Sequence, residues 1–195
     1  VGDIGLPEVS VASVTPEHYY YEPEDLPVQL PLRPARSHKG TFGRVLVAAG
    51  SETMSGAAFL AAKAAYAMGA GLVKVISPAY NREILLSSLP EILFAERDEI
   101  GDSLDWADAV LVGPGLGLTE EAEELVRYVI QNSPVPTVID GDGIRLCRNI
   151  TDTLSDNFII TPHLKEMNYL TGISMEDLKK DVPGRTKTAA KQWNC

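Results

Sequence analysis

Apolar positions along this chain change their spacing near Arg44. Before it, residues 1 to 37 show neither the alternation of a strand nor the three-to-four spacing of a helix, and Pro7, Pro16, Pro23, Pro27, Pro31 and Pro34 punctuate a run rich in tyrosines and acids. That stretch reads as a linker or wrapping arm. From Arg44 onward, short β-rich runs alternate with helix-length segments: RVLVAAG as a strand, SGAAFLAAKAAYAMGAG as an Ala-rich helix, LVKVIS as a second strand. ADAVLVGPG, PTVIDGDG and NFIITP each read as a strand running into a loop, while TEEAEELVRYVIQ, HLKEMNYLTG and the closing GRTKTAAKQWNC read as helices. Gly69 and Gly71 end the first long helix, and Pro134 and Pro136 separate the next from its following strand. Such alternation predicts an α/β fold with parallel strands joined by helical crossovers.

Composition narrows the function classes. With 195 residues, 45% hydrophobic and 23% charged, the chain has the make-up of one globular domain. A formal charge of −10 repels phosphate backbones, so neither nucleic acid nor an anionic membrane is the expected partner, and a small-molecule enzyme fits better. Cys147 and Cys195 lack CxxC spacing and a neighbouring His cluster, which points away from a disulfide framework and a zinc site and toward a reducing cytoplasm. No stretch of about 18 apolar residues or export signal is seen. The first residue is Val, not Met, as expected of a processed product or a piece of something longer.

In an open parallel sheet, ligands gather at the carboxyl ends of the strands, where GSETMSGA, GPGLG, DGDG and TPHLKE are expected. Neither familiar phosphate loop is present. After Gly50 the chain offers Ser55 and Gly56 without the Walker lysine, and the dinucleotide fingerprint that would use Gly113 and Gly115 meets Leu118 where its third glycine belongs. Thr53 or Ser55 is expected at a helix start, followed by Gly56, Ala57 and Ala58, small enough either for close helix-to-sheet packing or for a flat ligand. Gly113, Pro114, Gly115 and Gly117 make a tight turn or expose amides to a ligand. The helix that follows begins Thr119, Glu120, Glu121, whose carboxylates already complement its positive end and would repel a phosphate, so contact with an uncharged ligand part is favoured. Asp140 and Asp142 flank Gly141, suited to positioning a hydroxyl or holding magnesium, or in Asp142 to capping the next helix; no metal site is assigned. Thr161 is expected to cap the following helix with Pro162 at its first position, leaving His163 in the first turn as a structural residue or a hydrogen-bonding partner for a ligand amide or hydroxyl. Glu166 is a solvated acid or a support for that loop. His18 and His38 read as surface residues.

Each motif is weak alone, but taken in order HKGTFGRVLVAAGS, MSGAAFLAAKAAYAMGAGLVKV, GPGLG, VIDGDGI and TPHLKEMNYLTG resemble the NAD(P)H-hydrate dehydratase family, of the ribokinase-like superfamily, from about His38 to Cys195. The resemblance implies a mainly parallel central sheet with helices on both faces. It implies nucleotide-dependent dehydration of (S)-NAD(P)H-hydrate to NAD(P)H, with ADP or ATP and Mg2+ as cofactors, in a cytoplasmic homo-oligomer. Carried over by position, Ala57, Gly117 and His163 match the family's hydrate-binding residues, with Gly56, Gly115, Asp140 and Glu166 in support. Asp-Gly-Asp here stands where the family has Asp-Ala-Asp. The family's Gly-x-Gly-Asp segment, whose aspartate serves as catalytic base, is expected beyond Cys195, so residues 38 to 195 are read as a partial dehydratase domain, inactive by itself. VGDIGLP is similar to the closing strand of the epimerase domain in bifunctional relatives, making residues 1 to 37 the tail of a preceding epimerase-type domain plus linker. Two rivals stand beside this reading: a ribokinase-like kinase of a vitamin precursor, which keeps its phosphorylated product, and a non-catalytic nucleotide-binding module.

Overall fold

A computed structural model of the chain describes residues 5, 7–15, 20–30 and 32–195. His18, Pro16, Pro31 and most of the VGDIGLP opening lie outside the described residues. The chain divides into two units, residues 1–37 and 38–195. In the first, the stretch read as an arm carries two short helices, α1 (Glu8–Ala12) and α2 (Leu26–Gln29). In the second, His38 is exposed and its Nδ1 accepts the Gly40 amide at the start of a single 3-10 turn.

The second unit is built on a sheet whose six described strands are all parallel, in the order β3-β2-β1-β4-β5-β6. They are β1 (Arg44–Ala48), β2 (Leu72–Ile76), β3 (Leu93–Ala95), β4 (Ala109–Val112), β5 (Thr137–Ile139) and β6 (Phe158–Ile160). Between them run α3 (Ser55–Ala67), α4 (Arg82–Ser88), α5 (Ile100–Trp106), α6 (Glu120–Asn132) and α7 (Asp142–Leu146), and after β6 come α8 (Leu164–Thr171), α9 (Met175–Lys180) and α10 (Val182–Trp193). The five strands read from periodicity are in place. The three-residue β3 and the seven-residue helices on either side of it are too short to show a period, and sequence reading passed over them.

Strand alternation sorts the core into two layers. Val47 and Ala49 of the β1 segment face Ala58 and Ala62 of α3 and Leu85 of α4. Leu46 and Ala48 join the opposite layer, with Leu104, Val126, Val129, Ile144, Met167 and Trp193. The α3 and α4 crossovers thus cover one face and the later helices the other. α6 shows why such a segment is helical: Ala122, Leu125, Val126, Val129 and Ile130 form one buried stripe, and Thr119 caps its start by accepting the Ala122 amide. Each buried Leu, Val or Ile there contributes roughly 1.5–3 kcal/mol of transfer free energy. Cys147 is buried in this layer, and burial pushes its thiol up to about 12. At the amino edge of the sheet, Asp108 closes on Arg44: its Oδ1 accepts from Nη2 at 2.9 Å and its Oδ2 from Nε at 3.1 Å.

Candidate functional site at the carboxyl edge of the sheet

From β1 the connections run outward to β2 on one side, and from β4 to β5 on the other, so the loops after these two central strands part above the sheet. This reversal of strand order is where open α/β sheets bind ligands. Two backbone bonds close the floor between the loops, from Gly113 N–H to Ala48 O at 3.0 Å and from Gly50 N–H to Pro114 O at 2.9 Å.

Gly115 settles one of the alternatives left open by the sequence. A β-carbon on it would lie 2.7 Å from that of Ala57 and 2.9 Å from that of Met54, and its φ is +63°. It is therefore a packing residue that lets the β4 loop rest on the first turn of α3. Ala57 is part of the same contact. Gly117 is different: its φ is +77°, and its open side faces the Ser51 β-carbon at an unstrained 3.6 Å. The two loops approach each other there with only small residues between them. Gly56 is exposed, with nothing within 4 Å of an added β-carbon. α3 begins at Ser55, after Met54, whose side chain makes no cap; Thr53 stays outside the helix, so neither hydroxyl caps it.

The two aspartates hold loops. Asp142 does not cap α7 from outside but is its first residue, and its Oδ2 accepts the Gly117 amide at 2.9 Å. Asp140 Oδ1 accepts from Thr161 Oγ1 at 2.7 Å, tying the β5 loop to the β6 loop. Among the described residues no group of three or more His, Cys, Asp or Glu gathers to hold a metal.

The expectation for TPHLKE is corrected by two residues. Thr161 does not cap the helix and Pro162 is not its first residue; α8 starts at Leu164 and the cap is His163 itself. Thr161 is drawn off by Asp140, and the imidazole serves in its place: Nδ1 accepts the amides of Lys165 at 3.1 Å and Glu166 at 3.2 Å. Because Nδ1 is an acceptor, the neutral ring carries its proton on Nε2, which stands 3.2 Å from Glu166 Oε1. Glu166 Oε2 in turn accepts the His163 backbone amide at 2.8 Å, completing a capping box. Glu166 is thus the support of this loop and not a solvated acid; its side chain is 14% exposed against 63% for His163.

All seven residues singled out from sequence lie along this edge. Ala57 touches Gly115, Gly117 is bonded to Asp142, and Asp140 holds Thr161 two residues before His163. Sequence reading missed Ser51, which faces Gly117, and the buried pair Ser77 and Asn81 behind it. Their signal was available: SPAYN follows the LVKVIS strand, so its first residues also belong to the carboxyl edge. The α6 start is acidic, as expected. Glu121 is held below the ordinary carboxylate range, first by its hydrogen bond with Thr119, then by its own amide, with a smaller contribution from the charge of Arg97.

Residues 45–195 match the family model described as NAD(P)H-hydrate dehydratase. The chain belongs to the NAD(P)H-hydrate dehydratase family. An ADP-dependent (S)-NAD(P)H-hydrate dehydratase from Listeria monocytogenes is 37% identical over 154 residues, 76% of this chain and 56% of that protein. A bifunctional NAD(P)H-hydrate repair enzyme from Escherichia coli is 37% identical over 153 residues, 77% of this chain and 29% of that protein. The chain therefore spans about half, or less, of the length of these relatives. Among solved structures, a ribokinase-like superfamily protein from Enterococcus faecalis superposes with a TM-score of 0.80 at 26% identity, covering 91% of this chain and 66% of the other. The ADP/ATP-dependent NAD(P)H-hydrate dehydratase from Bacillus subtilis, co-crystallised with ATP and Mg2+, gives 0.70 at 29% identity, covering 84% and 60%. The fold is accordingly ribokinase-like, and the parallel sheet expected from strand and helix alternation is the dehydratase family's own. No helix among the described residues is long and apolar enough to cross a membrane.

Proposed function

We propose that the protein carrying this chain is a metabolite-repair lyase that dehydrates (S)-NAD(P)H-hydrate to NAD(P)H in an ADP- or ATP-dependent reaction. The observation that carries this reading is the cluster of loops at the reversal of strand order, where the small residues Ser51 and Gly117 face each other beside the acidic start of α6. Small residues and an acidic helix start favour an uncharged, hydroxyl- or amide-bearing part of a ligand lying against this edge. In this reading Ala57 and Gly117 border the hydrated nicotinamide, and the exposed His163 ring meets it by exchanging the Glu166 Oε1 contact of its Nε2 for the ligand. Gly56 and Gly115 shape the wall, and Asp140 and Glu166 hold the loops. Hydroxide is a poor leaving group, and a nucleoside di- or triphosphate supplies the phosphoryl group that converts it into phosphate, after which the ring-nitrogen lone pair expels it. The residues described here offer no protein cage for magnesium, so Mg2+ is assigned to the phosphates of the nucleotide, the common mode for this ion.

Residues 1–37 we assign to the tail of an epimerase-type domain and its linker. The match to a bifunctional repair enzyme from Moorella thermoacetica, which covers 100% of this chain, supports that assignment. A cytoplasmic homo-oligomer is part of the same reading. Free cysteines suit a reducing compartment, and the exposed Leu60 of α3 and Met68 just after it suit self-association.

The experiment is recovery of absorbance at 340 nm when the full-length product of the reading frame is mixed with hydrated NADH, Mg2+ and ADP or ATP. Recovery of NADH with release of phosphate is expected. A stable phosphorylated product without NADH would instead make the protein a small-molecule kinase, and neither product would leave a binding module.

A further inference from the structure

Behind these loops, a buried polar cluster fixes one residue that no other part of the site accounts for. Asn81 is 1% exposed and Ser77 fully buried, both just after β2. Asn81 Nδ2 donates to Ser77 Oγ at 2.9 Å and to Ser51 O at 3.3 Å, so both amide protons are committed and the backbone of Ser51 is held from below. Buried polar groups are costly unless bonded, so such a cluster persists where it fixes a geometry. What it fixes is the backbone that carries a hydroxyl. Ser51 is half-buried and sits opposite the open side of Gly117, with Oγ 3.9 Å from where a β-carbon on Gly117 would lie. Among the described residues, Ser51 Oγ makes no hydrogen bond.

We propose that the Ser51 hydroxyl contacts the ligand of this site, hydrogen-bonding an uncharged polar edge, and that Asn81 is its positioning residue. The inference rests on the proposed function, in which that edge is the carboxamide or ring hydroxyl of the hydrated nicotinamide. Uncharged chemistry follows from the surroundings: residues 50–54 and 113–118 contain no Lys or Arg, Glu120, Glu121 and Glu123 crowd the adjoining helix start, and Arg97 beside them donates from Nη2 to Leu116 O at 3.4 Å. A hydroxyl that both donates and accepts matches either group.

The test is calorimetric binding of hydrated NADH, without nucleotide, to the full-length protein and its variants. Ser51→Ala removes a hydroxyl with no protein partner, so affinity falls roughly five- to tenfold while the melting temperature stays put. Unchanged affinity overturns the assignment, as does a loss of affinity matched by a loss of stability. Asn81→Ala weakens binding in the wild type but much less in the Ser51→Ala background, a non-additivity that a purely structural residue does not give. Should Asn81→Ala fold poorly, Ser77→Ala makes the same cycle more gently. Wild-type NADH recovery with an unaltered Ser51→Ala affinity sinks only this inference; a wild type that binds no hydrated NADH sinks the functional reading and this assignment with it.

Discussion

The backbone amide of Gly117 donates to Oδ2 of Asp142 across 2.9 Å, so the loop after β4 is held in place by a carboxylate from the loop after β5. Replacing Asp142 by Ala frees that amide and lets the Gly117 side of the site move. Stability in urea should fall by about 1–2 kcal/mol, as for other bonds to a charged acceptor, and hydrate affinity by about tenfold. Asp142→Asn keeps an oxygen acceptor and should retain most of both. Equal behaviour of the two variants would show that the bond does not set the loop.

His163 has two separable duties. Its Nδ1 caps α8, and its Nε2, which faces Glu166 Oε1 at 3.2 Å, is the atom assigned to exchange that carboxylate for the ligand. His163→Ala should therefore lower stability by about 1 kcal/mol through the lost cap, besides weakening hydrate binding. His163→Asn restores a good cap without an Nε2. It should melt like the wild type yet still bind hydrated NADH more weakly; wild-type affinity in the Asn variant would remove His163 from the ligand.

The pair at the opposite end of the sheet gives a pH dependence. The hydrogen bond from the Arg44 side chain holds the Asp108 carboxyl below its ordinary range. A carboxyl depressed by folding binds fewer protons in the folded than in the unfolded chain, so its contribution is complete above the unfolded value of about 3.9 and is lost as pH falls through the folded one. Asp108→Asn should melt below the wild type at neutral pH, with the gap closing as the solution is acidified below about 4 and narrowing in high salt. Activity should be untouched, because the pair lies at the amino edge. A gap that persists in acid would assign the loss to packing.

The legible part of this molecule was whatever repeats. Period and punctuation identified β1, β2, β4, β5 and β6 and the long helices, and the rule that ligands sit at strand carboxyl ends brought Ala57, Gly117, Asp140 and His163 to one edge. What escaped depended on partners distant in the chain. Thr161 looked like a cap because local sequence cannot show that Asp140, 21 residues earlier, takes its hydroxyl. Asp142 looked like a cap for the same reason, since its partner, Gly117, is 25 residues away. Ser51 lies in GSETMSGA and Asn81 just past β2, but one backbone carbonyl and one buried amide join them, and only the packing of β1 beside β2 reveals that link.

β1 lies between β2 and β4, and Arg44 meets Asp108 only 64 positions further along the chain. On a ribosome adding about 5–20 residues per second, β2 follows β1 within roughly 1–6 s, while the β4 side of β1 waits roughly 3–13 s for its neighbour. During synthesis the centre of this sheet is therefore a temporary edge, and the meeting of Ser51 and Gly117 is among the later features of the nascent chain to form.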